Sequence, residues 1–202
     1  MFIQVLRGRT SDPQRVHAAM DRWSRELAPG AEGWLGTTAG CTEDGQFVAT
    51  VRFDTVQDAQ RNSARPEQDA WFRQISSSFE GDVIFHDCTE VELSPDGGDE
   101  RGGFVQVMEG TLRDPARVHE LSEDMRHVQD FRPDILGWSI AMHEDGQHYT
   151  HTVFFTNEAE ARENERKQEP PELRQLMTEL NQLAPQPRFF DLKQPWLYSR
   201  TA

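Results

Sequence analysis

One segment of this 202-residue chain occurs twice, and that constrains its fold more than any other feature. Phe2-Ile3-Gln4-Val5-Leu6-Arg7-Gly8 returns 102 residues later as Phe104-Val105-Gln106-Val107-Met108-Glu109-Gly110. The likeness continues in order. Asp12-Pro13-Gln14-Arg15-Val16-His17 matches Asp114-Pro115-Ala116-Arg117-Val118-His119, and Gly33-Trp34 matches Gly137-Trp138. Glu43-Asp44-Gly45-Gln46 then matches Glu144-Asp145-Gly146-Gln147, and Phe85-His86-Asp87 matches Phe189-Phe190-Asp191. So many matches in one order, with a nearly constant offset, mark a duplicated domain. The copies are expected over 1–93 and 104–202. Residues 94–103, rich in Gly and poor in apolar side chains, read as a flexible linker.

Each copy reads the same way. Phe2 to Gly8 is a short apolar strand, and Asp12-Pro13 is an N-cap followed by proline at the first helical position. The helix it opens carries Val16, Met20, Trp23 and Leu27 on one face and stops at Pro29-Gly30. Gly33 to Cys41 and Gln46 to Asp54 are two strands joined around Asp44-Gly45, a hairpin signal that Asp145-Gly146 repeats. Thr55 and, in the second copy, Thr156 are read as caps of a short helix. A second helix follows, with Phe72, Ile75 and Phe79 inward in copy one and Leu173, Leu176, Met177, Leu180 and Leu183 in copy two. Asp82 to Leu93 and the region near Arg188 to Leu192 complete each copy as last strands.

The order β-α-β-β-α-β predicts an α+β fold: two tandem ferredoxin-like repeats, each with helices on one face of a four-stranded antiparallel sheet. The third strand of copy two carries apolar residues on both sides, with Tyr149, Val153 and Phe155 one way and Phe154 the other. A sheet buried on both faces asks for a second layer, so the two copies are expected to pack as a pseudo-dimer within the chain and close into one barrel.

Charge and cysteine content narrow the partners. The formal net charge is −14 with no basic block, so nucleic acid and anionic membrane surfaces are not expected partners. The two cysteines, Cys41 and Cys88, are too few for a disulfide framework and are expected to be reduced. The N-terminal run is too short and too soon charged for a signal peptide, and no run approaches a membrane span, so a cytoplasmic location is expected.

Gln4 and Gln106 in the first strand, the Gly-Trp strand, the Asp-Gly hairpin and Arg65-Pro66-Glu67-Gln68 make the chain resemble the dimeric α+β barrel superfamily. Within it, the chain is most similar to the antibiotic-biosynthesis-monooxygenase group. The resemblance implies a barrel that other members build from two chains. It also implies activities that range over cofactor-free oxygenation of aromatic polyketides, haem degradation and small-molecule isomerisation or binding. The haem-degrading branch carries a first-strand Asn, a third-strand Trp and an iron-ligating His on the second helix. Here those positions read Gln4 or Gln106 and Phe53 or Phe154, and 66–80 and 171–183 hold no His, so haem degradation is disfavoured.

A cofactor-free oxygenase needs an apolar cavity, a base or hydrogen-bond acceptor, and donors that stabilise developing charge. Copy two places His143 at the end of its second strand and His148 and His151 on its third, with Trp138 and Tyr149 on the same hairpin. His151 and His143 are the candidate catalytic residues. Trp138, Tyr149, Gln106, Phe154 and Gln4 are candidate substrate contacts. His151, mid-strand, is either a packed barrel histidine or the base of a pocket. Gln4 and Gln106 either brace neighbouring groups or face a cavity. His17 and His119, present in both copies, read as structural. No metal ligand set and no nucleotide loop is present.

The sequence therefore supports a cofactor-independent monooxygenase-like protein acting on a small aromatic or quinol-type molecule, without a bound cofactor. A non-catalytic small-molecule-binding or structural barrel is the alternative. Copy two carries His148, Tyr149 and His151 where copy one has Phe47, Val48 and Thr50, an asymmetry expected if one copy kept chemistry and the other became scaffold.

Overall fold

The structure is a computed structural model describing residues 1–94, 101–125, 128–168 and 170–200. Most of the linker expected over 94–103 lies outside the described residues.

In chain order the elements are β1 (Phe2–Arg9), α1 (Pro13–Glu26), β2 (Trp34–Cys41), β3 (Gln46–Phe53), α2 (Val56–Ser63), α3 (Pro66–Ser76), β4 (Ile84–Cys88) and β5 (Glu90–Leu93). There follow β6 (Phe104–Thr111), α4 (Pro115–Met125), α5 (Val128–Phe131), β7 (Ile135–Met142), β8 (His148–Phe155), α6 (Glu158–Asn164), α7 (Pro171–Leu183), β9 (Arg188–Leu192) and β10 (Trp196–Ser199). They form two compact units, Met1–Glu90 with Pro195–Ala202 and Val91–Gln194. Each is an α+β ferredoxin-like unit with an antiparallel sheet, as the repeat required. No helix among the described residues is long and apolar enough to cross a membrane.

The sheets have five strands each, not four, in the orders β10-β2-β3-β1-β4 and β5-β7-β8-β6-β9. The expected single strand from Asp82 to Leu93 breaks at Thr89: β4 pairs with β1, while β5 lies beside β7 in the second sheet. The segment after Gln194, unassigned by pattern because it is short, forms β10 against β2 with Trp196 opposite Ala39. An otherwise open β2 edge is thereby paired.

The histidines shared by both copies hold these added strands. His17 on α1 stacks on Trp196 at 4.4 Å with an interplanar angle of 5°, and Tyr198 donates a 2.7 Å hydrogen bond to Asp21 one turn further on. His119 on α4 sets Nδ1 2.6 Å from Glu92 of β5.

Helix starts follow the sequence chemistry. The Asp12 carboxylate accepts from the backbone N–H of Arg15, and the Thr55 hydroxyl accepts from that of Asp58. In copy two the cap is Asn157, which accepts from the Glu160 N–H, and not Thr156. The Thr156 hydroxyl is taken by the Glu160 carboxylate instead. Alternation sorts each strand. Leu6, Phe47 and Ala49 pack under the helices with Val16 and Ile75, while Ile3, Val5 and Val48 are buried on the opposite face. Buried side chains thus occur at both alternating positions of the first sheet's strands, and Val105, Val107 and Phe154 show the same for the second.

Two register facts correct the alignment of the copies. Trp34 lies opposite Phe53, and its positional counterpart opposite Phe155 is Ile135; Trp138 corresponds to Thr37. The Gly-Trp pairs are thus three residues out of structural register. The second hairpin also has one more loop residue, 143–147 against 42–45, so Tyr149 corresponds to Phe47 and His151 to Ala49, not Thr50. A one-residue slip in a strand turns a side chain to the other face, which is why carrying the offset of the Asp-Gly turn into the strand misassigns them.

Candidate functional site

Between sheet and helices of the second unit lies a cavity of about 370 Å³. Its floor is the inward row of β6, β7 and β8: Gln106 and Met108, Trp138 and Ile140, and Tyr149, His151, Val153 and Phe155. The amphipathic α7 roofs it with Leu173, Met177 and Leu180. Alternation brings Trp138, Tyr149, His151 and Gln106 into one space. The same alternation places His143 and Phe154 on the reverse face.

His151 sits mid-strand with Met108 and Ile140 as lateral partners. Its Nε2 is buried without a hydrogen-bond partner, and its ring meets Trp138 edge-on at 6.2 Å and 87°. Burial in this apolar setting disfavours the charged imidazolium and pushes the pKa down to about 4. The side chain is therefore neutral at physiological pH.

Trp138 Nε1 is likewise buried and unpartnered. The tryptophans under the helices of unit 1 differ. Trp23 donates to Gln68 at 2.6 Å, Trp34 to Thr37 at 3.1 Å and Trp71 to the Ala19 carbonyl at 3.1 Å. A buried N–H normally finds an acceptor, so an unpaired one on a cavity wall is available to a guest molecule.

Gln106 both braces and faces the cavity. Its Nε2 donates to Asp191 at 2.8 Å, and Arg162 holds the other oxygen of Asp191 while lying 5.2 Å over the Phe104 ring. Gln4 repeats the contact with Asp87 at 2.8 Å. The acidic partner was visible as the aspartate of both Phe-X-Asp motifs, but only strand pairing connects it to the glutamine. Tyr149 closes the far end, its phenol pushed to a higher pKa by burial. Gly110 gives its ring room, since a Cβ there would stand 3.1 Å from Tyr149 Cε1.

His143 is buried with Nε2 2.8 Å from the Thr150 hydroxyl. Its backbone pairs with His148 at the hairpin end, so it does not meet His151. His148 is held by Asp145 in the exposed turn. Among the described residues no group of three His, Cys, Asp or Glu side chains is placed to hold a metal ion.

The first unit has an equivalent cavity of about 320 Å³. Phe47 and Ala49 stand where Tyr149 and His151 stand in the second unit, and Thr37 replaces Trp138.

No family model matches the chain, and no curated protein matches it by sequence. Solved structures do. A candidate monooxygenase of Fusobacterium nucleatum subsp. nucleatum superposes with a TM-score of 0.79 at 9% identity, over 100% of this chain and 95% of that one. A second candidate monooxygenase, from Lactobacillus acidophilus, gives 0.74 at 12% identity over 98% and 95%. An anthrone oxidase-like protein gives 0.64 at 9% identity over 100% and 94%. The chain shares their two-unit fold. At these identities the likeness concerns backbone architecture, and the chemistry rests on the site itself.

Proposed function

We propose that the second unit is the catalytic half of a cofactor-independent monooxygenase acting on a small aromatic or quinol-type molecule. The observation that carries this reading is the buried, unpartnered, neutral imidazole of His151 on the wall of an apolar cavity. Such a nitrogen accepts a hydrogen bond from a phenol and takes up its proton as the ring gives electron density to dioxygen, the phenolate beside it offsetting part of the cost that burial places on the imidazolium. Trp138 and the Gln106 amide supply polar contacts that orient the ring. An electron-rich phenolate then reduces dioxygen directly. In the balanced overall change for a substrate such as anthrone, whose enol tautomer is the phenol, the ring carbon bearing two hydrogens becomes a carbonyl, one oxygen atom entering the substrate and the other leaving with both hydrogens as water; a hydroquinone with a free ring position gives the hydroxyquinone and water in the same balance. The names of the two-unit neighbours are compatible with this chemistry.

Dioxygen uptake with anthrone and substituted hydroquinones tests the reading. Turnover with one oxygen atom from labelled dioxygen in the product is expected. His151→Ala should then lower kcat by about 10²–10⁴-fold with the fold retained. Thr50→Ala, on the reverse face of the other sheet, should leave kcat unchanged. Tight binding of these compounds without turnover would favour the non-catalytic binding reading, which the presence of a cavity in each unit supports.

A further inference from the structure

We propose that the cavity of the first unit is a second ligand site, which holds a neutral aromatic ketone or quinone and does not ionise it. The inference stands whether or not the second unit turns over its own ligand.

The walls set the ligand's body. Trp23, Trp71 and Phe72 on α1 and α3 face Phe47 across about 320 Å³, a space within the usual range for a small fused-ring molecule. Aromatic walls favour an aromatic guest through offset and edge-on ring contacts.

The polar atoms set its functional group. Gln68 spends its oxygen on the Trp23 N–H at 2.6 Å, which leaves its amide N–H groups as donors on the cavity wall. The Thr37 hydroxyl oxygen already accepts from Trp34, so its own hydrogen is free to be given to a guest. The Gln4 and Asn62 amides on the same wall are tied to Asp87 and Arg65, and the two donors left on an aromatic wall call for a carbonyl oxygen. Where the second unit has His151, this one has Ala49, and no His, Lys or Arg lines the space among the described residues. The titratable group there is Asp69, exposed and paired with Arg73 at 2.8 Å. A buried phenolate would stand here without a counter-charge, so the neutral form is the one accepted.

The experiment is titration calorimetry of the full chain with 9-fluorenone, a non-ionising ketone, and with fluorene, which has the same rings and no carbonyl. Gln68→Glu retains an acceptor for Trp23 and exchanges the ligand-facing donor for an oxygen. Ala49→Phe fills the cavity from the sheet side. Saturable fluorenone binding that weakens about ten-fold in Gln68→Glu and is lost in Ala49→Phe is expected. Fluorene should bind more weakly and ignore Gln68→Glu. Circular dichroism and melting temperature establish that both variants are folded. No binding of fluorenone by the unmodified chain, or binding unchanged in both folded variants, would overturn the proposal.

Discussion

Replacing His151 by Phe should change how the stability of the protein depends on pH. In an unfolded chain this imidazole titrates near 6.5, whereas in the folded cavity burial holds it down to about 4. Above 6.5 both states are neutral and the difference vanishes. As pH falls below 6.5 the unfolded chain takes up a proton that the folded chain refuses, so stability is lost progressively until pH nears 4. At about 1.36 kcal/mol per pH unit, the loss from this residue is about 2 kcal/mol at pH 5 and approaches 3 kcal/mol at pH 4. That is a large part of the ~5–15 kcal/mol of a typical domain. Urea unfolding followed by circular dichroism at pH 7.5, 6 and 5 should show the native protein losing about 2 kcal/mol more than His151→Phe between the first and last values. The other histidines are common to both proteins and cancel in the difference. Equal pH slopes would mean that His151 titrates as it does in water, and would refute the account of the cavity as dry.

Three other outcomes follow from particular contacts. Trp138→Phe removes an N–H that has no partner, so it should cost less than about 1 kcal/mol; Trp23→Phe breaks the bond to Gln68 and should cost more, both read by chemical denaturation. Trp196→Ala, which removes the ring stacked on His17, should destabilise the protein by about 2–3 kcal/mol and increase aggregation through the bared β2 edge, read by melting temperature and light scattering. Cys41, whose thiol burial pushes up to about 12, should resist a disulfide reagent at pH 8 in the native protein and react promptly in urea; rapid labelling of the folded chain would contradict that burial.

The sequence made the fold legible because duplication checks itself: the Asp-Pro cap, the Asp-Gly hairpin and the first three strands appear twice, and agreement between copies filters accidental pattern. The added strands escaped it, since β5 and β10 are four residues each and their pairing is set by distant partners. The site was legible by type and misaligned by position. His151, Trp138, Tyr149 and Gln106 share one cavity because alternation along strands is a local rule. Ala49 was missed as the counterpart of His151 because one extra loop residue changes which face a strand residue occupies, and composition does not record that. The partners of Gln4 and Gln106 were hidden for the same reason, lying more than 80 positions away.

Because β10 belongs to the first sheet, that sheet cannot be finished until the second unit has been made. Residues 196–199 leave the ribosome after the whole of the second unit, and until then β2 offers an unpaired edge for the time that unit is synthesised. At the usual ~5–20 residues per second this interval is about 5–20 s. Of the two units, the one that emerges first is completed second, and its open edge during that interval is where a chaperone, or a second nascent chain, would find its opportunity.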